Sequence, residues 1–346
     1  MSSADSQTAA ASANPVLVEV KRGDLVESRH RAALAVVDAA GKVLLSAGDI
    51  ERQVYPRSAI KQLQALALLE SGAADAFGCS DEEIALACAS HNGEPRHVEV
   101  ADAWLKRIGL SAADLECGAH KPMGVEATEA LLRADGTPTA LHNNCSGKHA
   151  GYLTTALHLG APTRGYIRIE HPVQQRILGI LEMMSGCELR DAPRGIDGCG
   201  IPQIAIPLSH VALAFAQFAD PVDQPEQRQT ACERICQAIA AHPFLVAGSG
   251  RFCTRVMEAT QGRVLVKTGA EGVFSIIVPE MGIGAALKVD DGATRAAEVL
   301  AGRVLERLNL LDDAARESLS DLLLQPVKNV VGKEVGQIRV AQDSPF

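Results

Sequence analysis

Aromatic residues are scarce in this chain: they make up 3% of its 346 residues, and Trp104 is the single tryptophan. Without rings on which bases or sugars can stack, we expect no nucleic-acid or sugar-binding platform. Basic residues are also outnumbered by acidic ones, which gives a net charge of −9 and a pI near 5.6. Such a chain has no electrostatic attraction for nucleic acid or for an anionic membrane.

The chain also lacks long apolar runs and closely paired cysteines. No apolar stretch reaches the roughly 18 residues of a membrane span. Residues 1–14 are small and polar, without the basic start and apolar middle of a secretory signal, so we expect a disordered tail before a single domain over 15–346. Nine scattered cysteines with no C-x-x-C pair suit reduced thiols in a cytoplasmic protein.

Strand-like patterns occupy both ends of the chain and helical patterns fill its middle. Runs rich in β-branched residues predict antiparallel strands within 16–48 and at 253–260, 263–270, 272–280 and 282–291. Apolar periodicity and capping residues predict helices at 56–70, 80–89, 98–108, 126–134, 149–158, 171–184, 212–218, 228–240 and 294–308. These elements predict an α+β fold in which one antiparallel sheet, formed from both chain ends, is flanked by helices and interrupted by a helical insertion.

The helix predicted at 56–70 carries a serine and a lysine three residues apart. Ser58 and Lys61 therefore share one helix face and can meet. A serine becomes a nucleophile when a base takes its proton, and a lysine held neutral by desolvation or a nearby cation can be that base. Taken alone, this spacing also fits a capping serine beside a solvated lysine.

Two further motifs follow in an order typical of serine acyl-transfer enzymes. Ser90-His91-Asn92 lies at a predicted helix exit, and Lys267-Thr268-Gly269 lies at the end of a predicted strand. Enzymes of the β-lactamase and penicillin-binding type have Ser-x-x-Lys, Ser-x-Asn and Lys-Thr-Gly in this order. In that arrangement Lys267 repels the proton on Lys61, and Ser90 relays a proton to the leaving group. The N–H of Ser58 and an N–H after Gly269 then form an oxyanion hole.

A second cluster is centred on cysteines in glycine-rich segments. Cys145-Ser146-Gly147-Lys148-His149 is followed downstream by Asp197-Gly198-Cys199. Thiolates and an imidazole are good zinc ligands, so spacing alone favours Cys145, His149 and Cys199 as a zinc site. Two buried thiols in glycine-rich loops are the alternative interpretation.

The chain resembles a known enzyme family over roughly residues 15–340, the Rhizobium etli type (class 3) of L-asparaginase. The resemblance lies in the segments VEVKRGDLVESRHRA, YPRSAIKQLQA, ASHNGEPRH, HNNCSGKHAGYL, GIDGCGIP and HPFLVAGSGRFCT. It implies a fold similar to serine β-lactamases and penicillin-binding proteins, and a homodimer that hydrolyses L-asparagine.

The resemblance also implies two Ser–Lys pairs beside a zinc site. Carried over by motif, Ser58 pairs with Lys61 and Ser90 pairs with Lys267. The zinc ligands become Cys145, Lys148 and Cys199 with a water molecule, so that Lys148 replaces His149 as the nitrogen ligand. An amine binds a metal only when it is neutral, which makes this ligand unusual.

The remaining expected site residues surround these pairs. His149 and Asp197 are expected to orient the zinc site, and Asn92 and His149 are placed with the substrate. Charge complementarity suggests that Asp197 accepts the substrate ammonium and that Arg57 faces its carboxylate.

The sequence therefore predicts an L-asparaginase that acts through an acyl-enzyme on Ser58, although it does not decide which serine is acylated. Another serine amidohydrolase, such as a glutaminase or a β-lactamase-like enzyme, remains an alternative. A zinc-binding ligand sensor of the same fold without catalysis is a third.

Overall fold

The computed structural model describes residues 13–346 and has strands at both ends of the chain around a helical middle. The strands are β1 (Val16–Arg22), β2 (Leu25–Asp38), β3 (Val43–Ala47), β4 (Gln53–Val54), β5 (Arg194–Ile196), β6 (Pro202–Ile204), β7 (Ile206–Pro207), β8 (Leu265–Thr268), β9 (Val273–Val278), β10 (Ile283–Val289), β11 (Gln325–Lys328) and β12 (Glu334–Val340). The helices are α1 (Lys61–Glu70), α2 (Ala73–Ala76), α3 (Asp81–Ala87), α4 (Pro95–Arg107), α5 (Val125–Arg133), α6 (Ser146–His158), α7 (Pro172–Ser185), α8 (Leu208–Ala219), α9 (Glu226–Ala241), α10 (Pro243–Val246), α11 (Phe252–Ala259), α12 (Thr294–Arg307), α13 (Asp313–Ser318) and α14 (Ser320–Leu323).

The large sheet is antiparallel and joins the two chain ends, as the sequence predicts. Its strand order is β11-β12-β1-β2-β10-β9-β8, and β3 also pairs with β2. The long strand β2 pairs with β1 along its first half and with β10 along its second half. It therefore connects the half of the sheet that ends at β11 to the half that ends at β8, which carries Lys267.

Helices cover both faces of the half of the sheet that contains β9 and β10. Every residue of β9 is buried, although successive side chains of a strand point to opposite faces. Both α8 and α12 contact these strands, so each helix covers one face. A Cβ at Gly284 of β10 would overlap the backbone of α8 at Ala212 and Ala216, so glycine is required for this close packing.

The helical insertion is built around α1. Nine of its ten residues are buried, and it contacts α6, α7, α8 and α9. A helix that is buried on all sides must be apolar or have its polar groups paired. Lys61 at its first position is therefore an ionisable group enclosed by protein, and its partners decide its chemistry.

Several sequence-based element predictions are wrong. Segment 253–260 lies in helix α11 and not in a strand, and helix α6 begins at Ser146 inside the predicted polar loop. Within 16–48 the structure has three strands, and β2 alone spans Leu25–Asp38. Strands β11 and β12 were not predicted.

The predicted tail is described only at its end, since residues 1–12 lie outside the described residues. Asn14 is buried: its side chain donates to Asp290 at 2.9 Å and accepts from the N–H of Asp49 at 2.7 Å. The folded domain therefore includes Asn14. In the described part of the chain, no helix combines the length and apolar character needed to cross a membrane.

Candidate active site

The turn that carries Ser58 is held against the end of strand β8. It is a 3₁₀ turn, Arg57–Ile60, that leads directly into α1, and its first residue has a left-handed φ of +51°. A Cβ at Gly269 would lie 3.1 Å from the carbonyl oxygen of Pro56 and 3.1 Å from the nitrogen of Ala59. The Lys-Thr-Gly motif therefore faces the serine turn, and its glycine permits the close approach.

The backbone N–H groups of Ser58 and of Ala270, which follows Gly269, are free to donate. Within residues 13–346, neither the N–H of Ser58 nor that of Ala270 donates a hydrogen bond, whereas the N–H of Gly269 donates to Val273 at 2.7 Å. Free N–H groups at the start of a helical turn are good partners for a developing oxyanion.

Ser90 lies between two buried lysines. Its Oγ is 3.0 Å from the Nζ of Lys61 and 2.8 Å from the Nζ of Lys267, and both lysines are almost fully enclosed. Burial and, after it, the positive charge of Lys61 lower the pKa of Lys267 to about 7. Lys267 can therefore gain and lose a proton near neutral pH, with the Ser90 hydroxyl as its partner.

Lys61 is bonded to groups other than the serine predicted to be its partner. Its amine donates to the carbonyl of Ala89 and lies 3.1 Å from the Sγ of Cys145. No hydrogen bond joins Lys61 to Ser58 in the described residues, and Ser58 is partly exposed. Three of the four predicted residues therefore form one line, Lys61–Ser90–Lys267, and Ser58 lies on the turn that immediately precedes Lys61.

The two thiols and the amine of the predicted zinc site converge in the interior. Cys145 precedes the first turn of α6, which places Lys148 beside it, and the Nζ of Lys148 is 3.0 Å from the Sγ of Cys199. Cys199 donates a hydrogen bond to Cys145. Two sulfurs and a nitrogen form the soft donor set that zinc prefers, so these residues fit such an ion.

His149 does not join this cluster. Its Nδ1 is 2.8 Å from the hydroxyl of Tyr166. Across residues 13–346 no group of three or more His, Cys, Asp or Glu side chains is arranged to hold a metal ion. The set suggested by spacing, with His149 between the two cysteines, is therefore not assembled, and the nitrogen beside Cys199 is that of Lys148.

The charges of the thiol cluster depend on one another. Burial disfavours a charged amine, but the Cys145 thiolate and the neighbouring Cys199 outweigh it and raise the pKa of Lys148 well above its usual value. The hydrogen bond from Cys199, with the ammonium groups of Lys148 and Lys61, holds the pKa of the Cys145 thiol well below its usual value. A metal ion at this site must therefore displace a strongly held proton from Lys148.

Arg57 and Asp197, which were expected to face opposite ends of a substrate, bind each other. The guanidinium of Arg57 donates to the Oδ1 of Asp197 at 2.8 and 3.2 Å. Gln203 bridges the pair by accepting from the N–H of Arg57 and donating to the Oδ2 of Asp197, both at 3.1 Å. Burial alone would raise the pKa of Asp197, but Lys148 and Arg57 hold it below its usual value. Sequence reasoning missed Gln203, because a lone glutamine in a three-residue strand carries no pattern.

His91 connects the serine loop to the start of α6. Its Nδ1 accepts from the N–H of Gly93 at 3.0 Å, which leaves the proton on Nε2, and Nε2 is 2.9 Å from the Oγ of Ser146. Burial and the nearby His97 lower the pKa of His91 well below its usual value, so the ring stays neutral. His91, which has no role in the sequence-based prediction, therefore links the loop that carries Ser90 to the start of α6, where the thiol cluster lies.

Asn92 is bonded to protein groups at both ends of its side chain. Its amide nitrogen donates to Glu94 at 3.0 Å and to the carbonyl of Ser249 at 3.2 Å, and its oxygen accepts from Arg251 at 3.0 Å. The structure therefore gives the predicted substrate-binding Asn92 three protein partners. Sequence reasoning missed Glu94, Ser249 and Arg251, although the last two lie in one of the segments that resemble the family.

Solved structures similar to this chain are distant from it. Mglu, in its native form in the presence of 4.3 M NaCl, has 13% identity and a TM-score of 0.47, and the alignment covers 86% of this chain and 66% of Mglu. A β-lactamase from Mycobacterium bovis has 14% identity and a TM-score of 0.40, with 84% and 94% covered. A D-alanine carboxypeptidase from Burkholderia cenocepacia has 12% identity and a TM-score of 0.37, with 84% and 92% covered. The chain thus spans just under two thirds of the length of Mglu.

Comparison with curated protein sequences finds no match. A family model gives a clear result, since the model described as L-asparaginase II matches residues 18–340. This match contains both lysines, both serines and the thiol cluster described above. The chain therefore belongs to the L-asparaginase II family.

Proposed function

We propose that this protein hydrolyses L-asparagine to L-aspartate and ammonia through an acyl-enzyme on Ser58. Family membership supports amide hydrolysis. The observation that carries the mechanism is the buried line Lys61–Ser90–Lys267, with 3.0 and 2.8 Å between its polar atoms, behind the turn that carries Ser58. This line offers two bases and a hydroxyl that can exchange protons with both.

The reaction begins when Lys61 passes its proton through the Ser90 hydroxyl to neutral Lys267. Ser58 Oγ then attacks the side-chain amide carbon of the substrate and gives its own proton to Lys61. The N–H groups of Ser58 and Ala270 stabilise the oxyanion that develops. Ser90 then passes a proton to the leaving nitrogen, which departs as ammonia, and Lys267 replaces that proton. Lys61 next passes its proton through Ser90 to Lys267 once more and deprotonates a water molecule, which attacks the ester. The same proton then returns from Lys61 to Ser58 Oγ as L-aspartate is released.

Ser58 is the better nucleophile candidate because it can be reached. Ser90 is buried with 5% of its surface exposed, whereas Ser58 lies on a turn that is partly open to solvent. One of the two free N–H groups is also that of Ser58 itself. We assign Ser90 to proton transfer for these reasons.

Cys145, Lys148 and Cys199 would hold a zinc ion, on the grounds of the donor set described above. When bound, the ion supplies positive charge beside the substrate site and ties the start of α6 to the loop that carries Cys199. The ion pair between Arg57 and Asp197 joins the Ser58 turn to the loop that carries Cys199. We propose that the substrate opens this ion pair, with its ammonium bound by Asp197 and its carboxylate bound by Arg57.

The test is to find which serine becomes acylated. Acid-quenched turnover followed by peptide mass spectrometry should find an aspartyl adduct on Ser58 in the wild type. Ser58→Ala should lose about 10⁴-fold or more of kcat, and Ser90→Ala should lose about 10²-fold to 10³-fold. Ser71→Ala, at the far end of α1, is the matched control and should retain full kcat.

The same assays separate the alternatives. A panel of L-asparagine, L-glutamine and a chromogenic lactam distinguishes an asparaginase from a glutaminase or a β-lactamase-like enzyme. Binding of metal and amino acid without turnover of any amide would support a sensor. Full activity in Ser58→Ala would remove Ser58 as the nucleophile. The expected homodimer is a separate prediction, which light scattering of the purified chain tests.

A further inference from the structure

The side chain of Asn92 is held by opposite charges at its two ends. The carboxylate of Glu94 takes a hydrogen bond from the amide nitrogen, and the guanidinium of Arg251 donates one to the amide oxygen. Glu94 also accepts from the N–H and the hydroxyl of Ser249, each at 2.8 Å. Because a carboxylate only accepts and a guanidinium only donates, these partners fix which way the Asn92 amide faces.

The backbone between Val246 and Arg251 is shaped to make these contacts. Gly248 has a φ of +115°, and a Cβ there would lie 2.6 Å from both the Asn92 amide nitrogen and a Glu94 carboxylate oxygen. The N–H of Ser90 donates to Val246 at 2.9 Å, and the N–H of Asn92 donates to Ala247 at 2.8 Å. We call Asn92, Glu94, Ser249 and Arg251 the Asn92 clamp.

Arg251 has no ion-pair partner within 4.0 Å in residues 13–346, so the clamp is not simply a surface salt bridge. The hydrogen bonds that Glu94 accepts from Ser249 and Asn92 outweigh burial and keep its pKa below the usual value, so Glu94 stays charged. The clamp thus combines two charged groups, one amide and one hydroxyl around a residue only two positions from Ser90.

We propose that the Asn92 clamp positions Ser90, so that its hydroxyl stays within hydrogen-bond reach of both Lys61 and Lys267. Asn92 and Arg251 are then positioning residues that act through the backbone of Ser90, and Asn92 is not a substrate contact. Proton transfer requires donor and acceptor to remain within about 3 Å, so a shift of 1 Å at Ser90 is sufficient to interrupt it. This inference rests on the proposed function for its kinetic readout.

The kinetic test compares two changes at Arg251. Arg251→Met keeps the length of the side chain and removes its donors, and should lower kcat about 10-fold to 100-fold while KM changes less than about twofold. Arg251→Lys keeps a donor and a charge and should restore most of kcat. Arg255→Met, one turn further along in α11, is the control, because Arg255 is bonded to Asp321 at the surface and should not affect kcat.

Rates are compared on the high-pH plateau of each variant, because Arg251 also adds positive charge near Lys267. The other groups that face Lys267 are unchanged in these variants: Lys61, Cys88, Ser90, Cys145 and Cys253. A change that only moves the pKa of Lys267 shifts the profile and leaves the plateau in place. A displaced Ser90 hydroxyl lowers the value of kcat on the plateau itself.

A second measurement does not depend on catalysis. Hydrogen exchange by mass spectrometry should show faster exchange, by about tenfold, at the N–H groups of Ser90 and Asn92 in Arg251→Met than in the wild type or Arg255→Met. If the wild type turns over no amide, the proposed function fails and this measurement alone decides the clamp. Unchanged exchange with full plateau kcat would overturn the proposal, and so would an increase in KM alone, which would make Arg251 a substrate contact.

Discussion

At the scale of single residues, the protonation of Lys267 sets an expectation for the pH profile. Its pKa is lowered to about 7, first by burial and then by Lys61. In the proposed reaction Lys267 first takes the proton of Lys61 through Ser90 and later gives it back, so the neutral form of Lys267 must be present when the cycle starts. Because the neutral fraction falls as pH decreases, kcat/KM should decline about tenfold per pH unit below about pH 7 and level off above it.

A variant whose side chain at position 267 stays charged provides a check on this profile. Lys267→Arg keeps positive charge at all accessible pH values and should abolish most activity across the range. A profile measured from pH 5 to 9 that stays flat between pH 6 and 8 in the wild type would contradict the role of Lys267.

The nitrogen ligand is a second residue-scale prediction. If Lys148 binds zinc, Lys148→Met should reduce bound metal from about one ion per chain to a small fraction, whereas His149→Gln should retain it. Because the pKa of Lys148 is raised by its two thiol neighbours, zinc affinity should also increase with pH as the competing proton is lost.

Metal content by mass spectrometry after dialysis measures both effects. Cys232→Ala removes a buried thiol of α9 outside the cluster and serves as the control. Loss of metal in His149→Gln with retention in Lys148→Met would reverse the assignment and restore the ligand set favoured by spacing.

At the scale of elements, the site depends on how closely α6 approaches α3. A Cβ at Gly147 would overlap the carbonyl of Leu86 and lie 2.5 Å from its Cγ. Gly147→Ala should therefore push the first turn of α6 away and displace Cys145 and Lys148, at a cost of about 1–3 kcal/mol of stability.

A glycine one turn further along α6 provides the comparison. A Cβ at Gly151 would make ordinary contacts of 3.6 Å, so Gly151→Ala should be neutral or slightly stabilising. Urea unfolding and bound zinc measured on both variants test this difference. Equal stability and equal metal content in the two would show that the approach of α6 to α3 does not matter.

Sequence patterns predicted the helices best where a local interaction defines them. The Ser80 cap of α3 is an example: its hydroxyl accepts from Glu83, and the Glu83 carboxylate accepts from the N–H of Ser80, as the motif predicts. Helix α11 failed because its β-branched residues suggested a strand. Its buried positions, which include Phe252, Val256 and Met257, repeat with helical spacing. Strands β11 and β12 carry mostly half-exposed residues and show no alternation to detect.

At the scale of the whole molecule, the site joins segments that are far apart in the chain. Motif order and family resemblance predicted that Lys61, Ser90 and Lys267 would meet, and the structure brings these three side chains together. They were not enough to predict that Lys61 bonds Ser90 and not Ser58, or that Arg57 pairs with Asp197. Such choices depend on tertiary packing, because helical spacing only permits a contact and does not enforce it.

The sheet and the helical insertion meet at Gly269, and this contact gives the prediction that concerns the whole molecule. A Cβ there would lie 3.1 Å from backbone atoms of both Pro56 and Ala59, which is tight but does not prevent folding. Gly269→Ala should therefore shift the Ser58 turn by a few tenths of an ångström and lower kcat by about tenfold, while stability changes by only about 1 kcal/mol.

The matched change is Gly179→Ala in α7, where a Cβ would meet no atom within 4 Å. It should stabilise the protein by about 0.5–1 kcal/mol and leave kcat unchanged, because alanine favours the helix and α7 does not contribute to the site. Urea unfolding and steady-state kinetics on both variants separate the two effects. If Gly269→Ala retains full kcat, the turn tolerates movement, and the position of Ser58 is set by α1 and not by the junction with the sheet.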